Sequence, residues 1–375
     1  MSAGQRLPAV LVHDWLTGMR GGEKVLEQIA REYPSAPLYT LFHFPGSVSA
    51  ELEAHAIHTS VLQHAPLVRR RYRHYLPLYP WAVERLRLPA CELVVSSSHA
   101  VAKSVLKPEG SVHVCYCHTP MRYAWDQERA YFPRQNGPVA ALRRRLLRRL
   151  RRWDAATAHR VDHYLANSSF VARRIGKYYN RSATVLHPPV DTEFFTPDPR
   201  VAREDFCLFV SALAPYKRID VAVAACRELG LELRVVGSGP EQVRLERQAA
   251  RQGGAQVRFL GGIEAEALRD LYRRAACFVQ PGVEDFGISA VEALACGCPV
   301  AAQGRGGVMD IVESGRHGVL YEGDADPTAM AAAIDKSRNM RSNSLDLRER
   351  AESFSISDFR RQLRQFLEEA YRKPS

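Results

Sequence analysis

Apolar positions in this chain fall in short runs closed by glycine, proline or serine, and most runs lead into a segment of helical period. Residues 10–15 (VLVHDW) read as a strand entering a glycine-rich turn at Gly21 and Gly22. Beyond it Leu26, Ile29 and Ala30 share one side of a helix. Residues 91–105 predict a buried strand that ends in serines and continues as a helix. Residues 113–126 alternate with period two, and 161–179 give a strand, a Ser/Asn turn and a helix. The same order recurs at 206–225 and 233–241, and strands ending in glycine-containing loops are predicted over 256–263 and 277–287. Strands alternating with helices predict an α/β chain whose parallel sheets are covered on both faces.

A length of 375 residues suits two domains that each bury a core. Prolines 188, 189, 197 and 199 stiffen the stretch where the first would end. No run approaches the ~18–20 apolar residues needed to span a bilayer. The first apolar run, 8–12, is cut by His13 and Asp14, so a strand is expected there and not a signal peptide. Eight cysteines include Cys115/Cys117 and Cys296/Cys298, neither pair at zinc-knuckle spacing; buried free thiols in a reducing cytoplasm are the expectation. His113, Cys115 and Cys117 share one strand face, a geometry on which three metal ligands rarely converge.

Charge changes the picture of the first half. Residues 1–190 hold 27 Lys and Arg against 13 Asp and Glu, whereas the remainder holds 25 against 28. An anionic partner for the first half follows: an acidic membrane, a lipid diphosphate or a nucleic acid. Leu142, Leu146, Leu150 and Trp153 form a helical stripe, with seven arginines between 143 and 152, among them Arg143, Arg144 and Arg148, on the other faces. That is the pattern of an amphipathic helix lying on an anionic surface, and equally of one packed on its own domain with solvated arginines. Residues 69–73 (RRRYR), followed by LPLYPW, are a second candidate contact. Nothing resembles a nucleic-acid reading helix or an aromatic RNA platform, so no nucleic-acid partner is expected.

Residues 284–300 (EDFGISAVEALACGCPV) carry the sharpest chemistry. Glu284 and Glu292 bracket a turn, Phe286-Gly287, that opens a helix, and the first amides from Gly287 through Ile288 to Ser289 point at one spot. A helix N-terminus suits a phosphate. Carboxylates beside it make sense facing the hydroxyls of a sugar or ribose. The combination reads as a nucleotide-sugar pocket.

E-x7-E followed by ALACGCPV resembles the signature of retaining glycosyltransferases of family 4, which have the GT-B fold. Other blocks agree. Gly21-Gly22 resembles the glycine loop that meets the donor diphosphate, and His118-Thr119-Pro120-Met121-Arg122-Tyr123 resembles the H-[ST]-P-x-R-Y block of mannosyltransferase-like members. ANSSFVA and LHPPVD look like the end of the first domain and its linker, and residues 304–324 resemble the closing block. The resemblance implies two Rossmann-like domains facing across a cleft: 1–187 for the acceptor, 188–355 for the nucleotide sugar, and a helix over 356–375 returning to the first.

It also implies roles. Lys217 and the amides at 286–289 would neutralise a leaving diphosphate, Glu284 would hold donor-sugar hydroxyls, and Glu292 the ribose. Backbone near Gly262 would cradle the base, and His118, with Arg122 and Tyr123 beside it, would lie near the transferring sugar and acceptor. No metal or cofactor would be required. The family often has an arginine where this chain has Ala212; Arg218 is the candidate replacement. GDP-mannose is the first expected donor and a UDP-sugar the next. The expected acceptor is a polyprenyl-diphosphate-linked glycan of cell-surface polysaccharide synthesis, met on the cytoplasmic face of the membrane by a peripheral enzyme. A GT-B sugar-nucleotide epimerase or phosphorylase, or a non-catalytic anion- or nucleic-acid-binding protein, would share much of this pattern.

Overall fold

Buried apolar strands next to one another in sequence pair side by side and build two parallel sheets. The computed structural model describes residues 8–132, 136–252, 257–324, 326–340 and 344–372. The chain divides into two compact units, residues 1–189 with 357–375, and residues 190–356.

In the first unit β1 (Ala9–His13), β2 (Leu38–Thr40), β3 (Ile57–Thr59), β4 (Leu93–Ser98), β5 (Val112–Cys117), β6 (His163–Ala166) and β7 (Thr184–Val185) pair in the order β3-β2-β1-β4-β5-β6-β7. One face packs Leu11, Leu93, Val95 and Val114 against the helix Gly21–Glu32 and against Phe359, Leu363 and Leu367 of the helix Ile356–Arg372. The other face buries Val10, Val12 and Val94 under the segments 72–86 and 100–105. All six residues of β5 are buried, so the period-two alternation expected over 113–126 is replaced by a strand covered on both sides.

The helix expected after β4 does not form. Asp14 accepts from the backbone N–H groups of His99, Ala100, Val101 and Ala102 at 2.6–2.9 Å, and only a short turn, Ala102–Ser104, follows. A fully buried carboxylate takes the amides that a helix start would otherwise leave without acceptors.

The second unit repeats the plan. Strands β8 (Glu204–Val210), β9 (Glu232–Val236), β10 (Val257–Gly261), β11 (Ala275–Gln280), β12 (Val300–Gln303) and β13 (Gly318–Tyr321) pair in the order β10-β9-β8-β11-β12-β13, all parallel. In both sheets the order reverses beside the unit's first strand, between β1 and β4 and between β8 and β11. In open parallel sheets ligands collect at the carboxyl ends of such strands.

The arginine-rich helix runs Pro138–Ala156 and buries Ala140, Leu147, Leu150 and Asp154. This corrects the expected stripe. Leu150 is inward, Leu142 is 69% exposed, and Trp153 is half-buried, its indole N–H donating to Glu84 at 2.9 Å. Arg143 lies over the Phe132 ring, 5.0 Å from its centroid. The helix is held from below by Lys103, whose ammonium is 3.0 Å from the Asp154 carboxylate, both fully buried. Trp125 and Tyr179 donate to the other carboxylate oxygen at 2.7 and 2.9 Å. Among the described residues no helix is long and apolar enough to cross a membrane.

Candidate functional site

In the second unit the loop after β8 carries Lys217 and the loop after β11 carries Glu284, so the reversal point of the sheet brings them together. The Lys217 ammonium donates to a Glu284 carboxylate oxygen, and both side chains are largely buried. Two glycines make this approach close. A Cβ on Gly282 would stand 2.5 Å from the Tyr216 carbonyl oxygen and 2.8 Å from the Lys217 Cα, and one on Gly307 would overlap the backbone of Asp285 and Phe286. Gly307 also donates its N–H to the Glu284 carbonyl at 2.9 Å.

Three residues beyond Glu284, Gly287 takes a left-handed conformation (φ 111°) and opens the helix Ile288–Ala295. The first amides of that helix, at Ile288 and Ser289, have no carbonyl one turn back within it. Phe286 anchors the turn, stacking edge-on against Phe354 in the core at 5.6 Å. Glu292 lies one helical turn on, buried, and Tyr272 donates its hydroxyl to it at 3.0 Å. Arg218, also left-handed (φ 53°), turns its guanidinium onto Asp220 at 2.9–3.3 Å. The compensation expected for Ala212 therefore has a competing carboxylate beside it. Gly262 follows β10 with open space where a side chain would stand.

The first unit gathers a second cluster at its own reversal point. His118 follows β5, and Gly21 and Gly22, expected as a turn ahead of the helix after β1, are its first two residues. A Cβ on Gly22 would come within 3.7 Å of the His118 Nε2 and 3.8 Å of the His13 Cε1. The structure thus joins the two glycines to His118 through residues the sequence reading passed over. His13 and Ser97 are register partners on β1 and β4, and Ser97 Oγ lies 2.8 Å from His118 Nε2. Glu23 stands 3.8 Å from His13 Nε2 and accepts from the Arg20 N–H. His99 lies 3.2 Å from Asp14, its ring edge-on to Trp15. Burial, reinforced by His99 and His13, holds the His118 ring well below the usual histidine pKa. Burial would raise the Glu23 carboxyl, but the His13 ring 3.8 Å away outweighs it, and the carboxyl is held below its usual value. Arg122 and Tyr123 open the short helix Arg122–Trp125 just beyond, with the Tyr123 hydroxyl buried and without a hydrogen-bond partner among the described residues. The only sequence signal for the missed residues is a polar His-Asp pair closing an otherwise apolar first strand.

A family profile described as "Glycosyltransferase Family 4" matches residues 19–194, and one described as "Glycosyl transferases group 1" matches residues 191–354. The chain belongs to the family 4 glycosyltransferases. It is 39% identical over 202 residues to a D-inositol 3-phosphate glycosyltransferase of Geodermatophilus obscurus, covering 46% of this chain and 45% of that protein. It is 34% identical over 193 residues to a GDP-mannose-dependent alpha-(1-6)-phosphatidylinositol monomannoside mannosyltransferase of Mycolicibacterium smegmatis, covering 44% and 50%. The matches thus span about half the length of these curated relatives.

Among solved structures, Anabaena HepE in complex with UDP and glucose superposes with a TM-score of 0.68 at 18% identity, covering 97% of this chain and 100% of that one. Sucrose-phosphate synthase of Thermosynechococcus elongatus superposes with a TM-score of 0.73 at 18% identity, covering 98% and 99%. The fold of this family 4 member is GT-B, two Rossmann-like units with parallel sheets.

Proposed function

We propose that this chain is a retaining glycosyltransferase that moves a hexose, mannose by preference, from a nucleoside diphosphate sugar to a lipid-linked glycan. The observation that carries the reading is the Lys217 ammonium on Glu284, four residues before the helix that starts at Ile288. One cation and a set of helix-end amides suit the negative charge of a leaving diphosphate. They stabilise that charge as the sugar–oxygen bond breaks. Glu284 then serves the sugar hydroxyls, and Glu292, oriented by Tyr272, the ribose. The GDP-mannose-dependent relative supports a guanine nucleotide, and the UDP-bound fold neighbour keeps UDP-sugars as the next choice.

The test is a thermal-shift screen with GDP, UDP, ADP and TDP, followed by transfer of label from the matching sugar nucleotide with and without acceptor. A GDP-selective shift with acceptor-dependent release of GDP is expected. Consumption of the sugar nucleotide without acceptor would instead identify an epimerase.

A membrane-borne acceptor is supported by the outer face of the helix Pro138–Ala156. There Val139 and Leu142 are 79% and 69% exposed beside exposed Arg144, Arg145, Arg148 and Arg149. Short apolar side chains rimmed by arginine suit the boundary of an anionic bilayer. Sedimentation with phosphatidylglycerol vesicles at low salt, lost in the double variant Arg145→Glu/Arg149→Glu, is expected; equal sedimentation of the two would remove this surface from the reading.

A further inference from the structure

The polar chain behind His118 has a direction, and that direction fixes what the ring can do. His13 Nδ1 lies 2.9 Å from the Ser97 carbonyl oxygen. A carbonyl only accepts, so this nitrogen carries a hydrogen whether His13 is neutral or charged. The Ser97 hydroxyl oxygen lies 3.1 Å from the same nitrogen and can therefore only accept from it. Its own proton is left for its one remaining partner among the described residues, His118 Nε2, at 2.8 Å. A histidine that accepts at Nε2 and stays neutral keeps its proton on Nδ1.

We infer that Ser97 and His13 are positioning residues that hold His118 as the Nδ1–H tautomer, so that it offers the transferring sugar or its diphosphate a fixed hydrogen-bond donor and not a base.

Three features of the surroundings agree. His13 and Ser97 sit opposite each other in the parallel β1–β4 register, which sets the spacing of the two side chains by backbone alone. Both are buried, at 1% and 0% exposure, so water does not compete for these bonds. Gly22 lies beside both rings: a Cβ there would stand in van der Waals contact with His118 Nε2 at 3.7 Å and His13 Cε1 at 3.8 Å. The far nitrogen of His13 faces Glu23 at 3.8 Å, without a hydrogen-bond partner among the described residues. Protonation there would create an imidazolium–carboxylate pair without disturbing the Nδ1–H on which the chain depends.

This inference rests on the reading of His118 as a residue that meets the substrate, and the experiment separates the two. The full chain is labelled with 15N-histidine, the His118 ring signals are assigned by their loss in His118→Gln, and the two-bond proton–nitrogen pattern reports the tautomer. The wild-type ring is expected with its proton on Nδ1. Ser97→Ala is expected to mix the tautomers and lower kcat by roughly tenfold, the loss of about one buried hydrogen bond, with KM for the donor changed much less. Ser97→Thr, which keeps the hydroxyl, restores both. His13→Asn, which keeps an N–H for the Ser97 carbonyl, retains the wild-type tautomer and serves where Ser97→Ala fails to fold. A wild-type His118 protonated on Nε2, or a tautomer unmoved by Ser97→Ala, overturns the inference. Wild-type transfer by His118→Gln would instead overturn the substrate role of His118, while the ring spectrum still decides what Ser97 does.

Discussion

Lys217 and Glu284 neutralise each other across the carboxyl ends of β8 and β11. A diphosphate arriving at Lys217 must therefore replace a carboxylate already in place. Glu284→Gln removes the competitor and is expected to bind free nucleoside diphosphate up to about tenfold more tightly while transferring sugar more slowly. Calorimetric titration beside a turnover assay checks it; weaker binding with unchanged turnover contradicts the assigned division of labour.

Lys217→Ala should cost one or two charge-assisted hydrogen bonds of about 1.5–3 kcal/mol each, or roughly 10- to 10,000-fold in transfer. Because the ammonium is largely buried against Glu284, the thermal midpoint should fall as well, so turnover is compared below the melting range of the variant. Near-normal turnover in this variant would end its role in the mechanism.

Gly307 is where the closing glycine block meets the Glu284 turn. Any Cβ there overlaps Asp285 and Phe286 backbone, which cannot rotate away as a side chain tip would. Gly307→Ala is expected to destabilise the protein by about 1–3 kcal/mol in urea melts and to slow transfer by shifting Glu284. Loss of stability without loss of rate would show that the turn recovers its position.

Asp154→Asn tests the base of the arginine-rich helix. It leaves the buried Lys103 ammonium without its counter-charge. Removing one member of a buried pair costs about 3–5 kcal/mol. Equilibrium unfolding monitored by tryptophan fluorescence should show it, since Trp125 donates to the same carboxylate.

Stability should also fall in mild acid. Burial pushes the His113 ring down to about 4, and His118 well below its usual value. An unfolded histidine titrates near 6.5, so between about 6.5 and 4 the unfolded chain binds protons that the folded chain refuses. Stability is complete above about pH 6.5 and declines as pH falls through that window, by at most about 1.4 kcal/mol per pH unit for each ring. Urea titrations from pH 7.5 to 4.5 measure the slope. His113→Gln should flatten it even if its absolute stability is lower.

What the sequence displayed depended on range. Strands β8 to β11 of the second unit were legible as apolar runs, the last three ending in glycine loops, whereas β12 and β13 were not read as strands; the E-x7-E spacing is local. The three-residue strands β2 and β3 were too short to show a period. The segment after β4 read as a helix because its true cap, Asp14, lies 85 residues earlier. The inward face of the arginine-rich helix was misplaced for a related reason. It includes a charge, Asp154, and a charge reads as surface until its partner Lys103, 51 positions away, is known. His13 and Ser97 acquire meaning only from strand register, which no local pattern contains.

The first unit's core is finished by Phe359, Leu363 and Leu367, which follow the whole second unit in the chain. During synthesis the earlier strands therefore emerge with an open greasy groove and wait for more than 160 residues to be added before it is sealed. Until then its apolar surface is open to contact with other chains. Chains halted before residue 359 should be far more prone to clump than their second units would suggest.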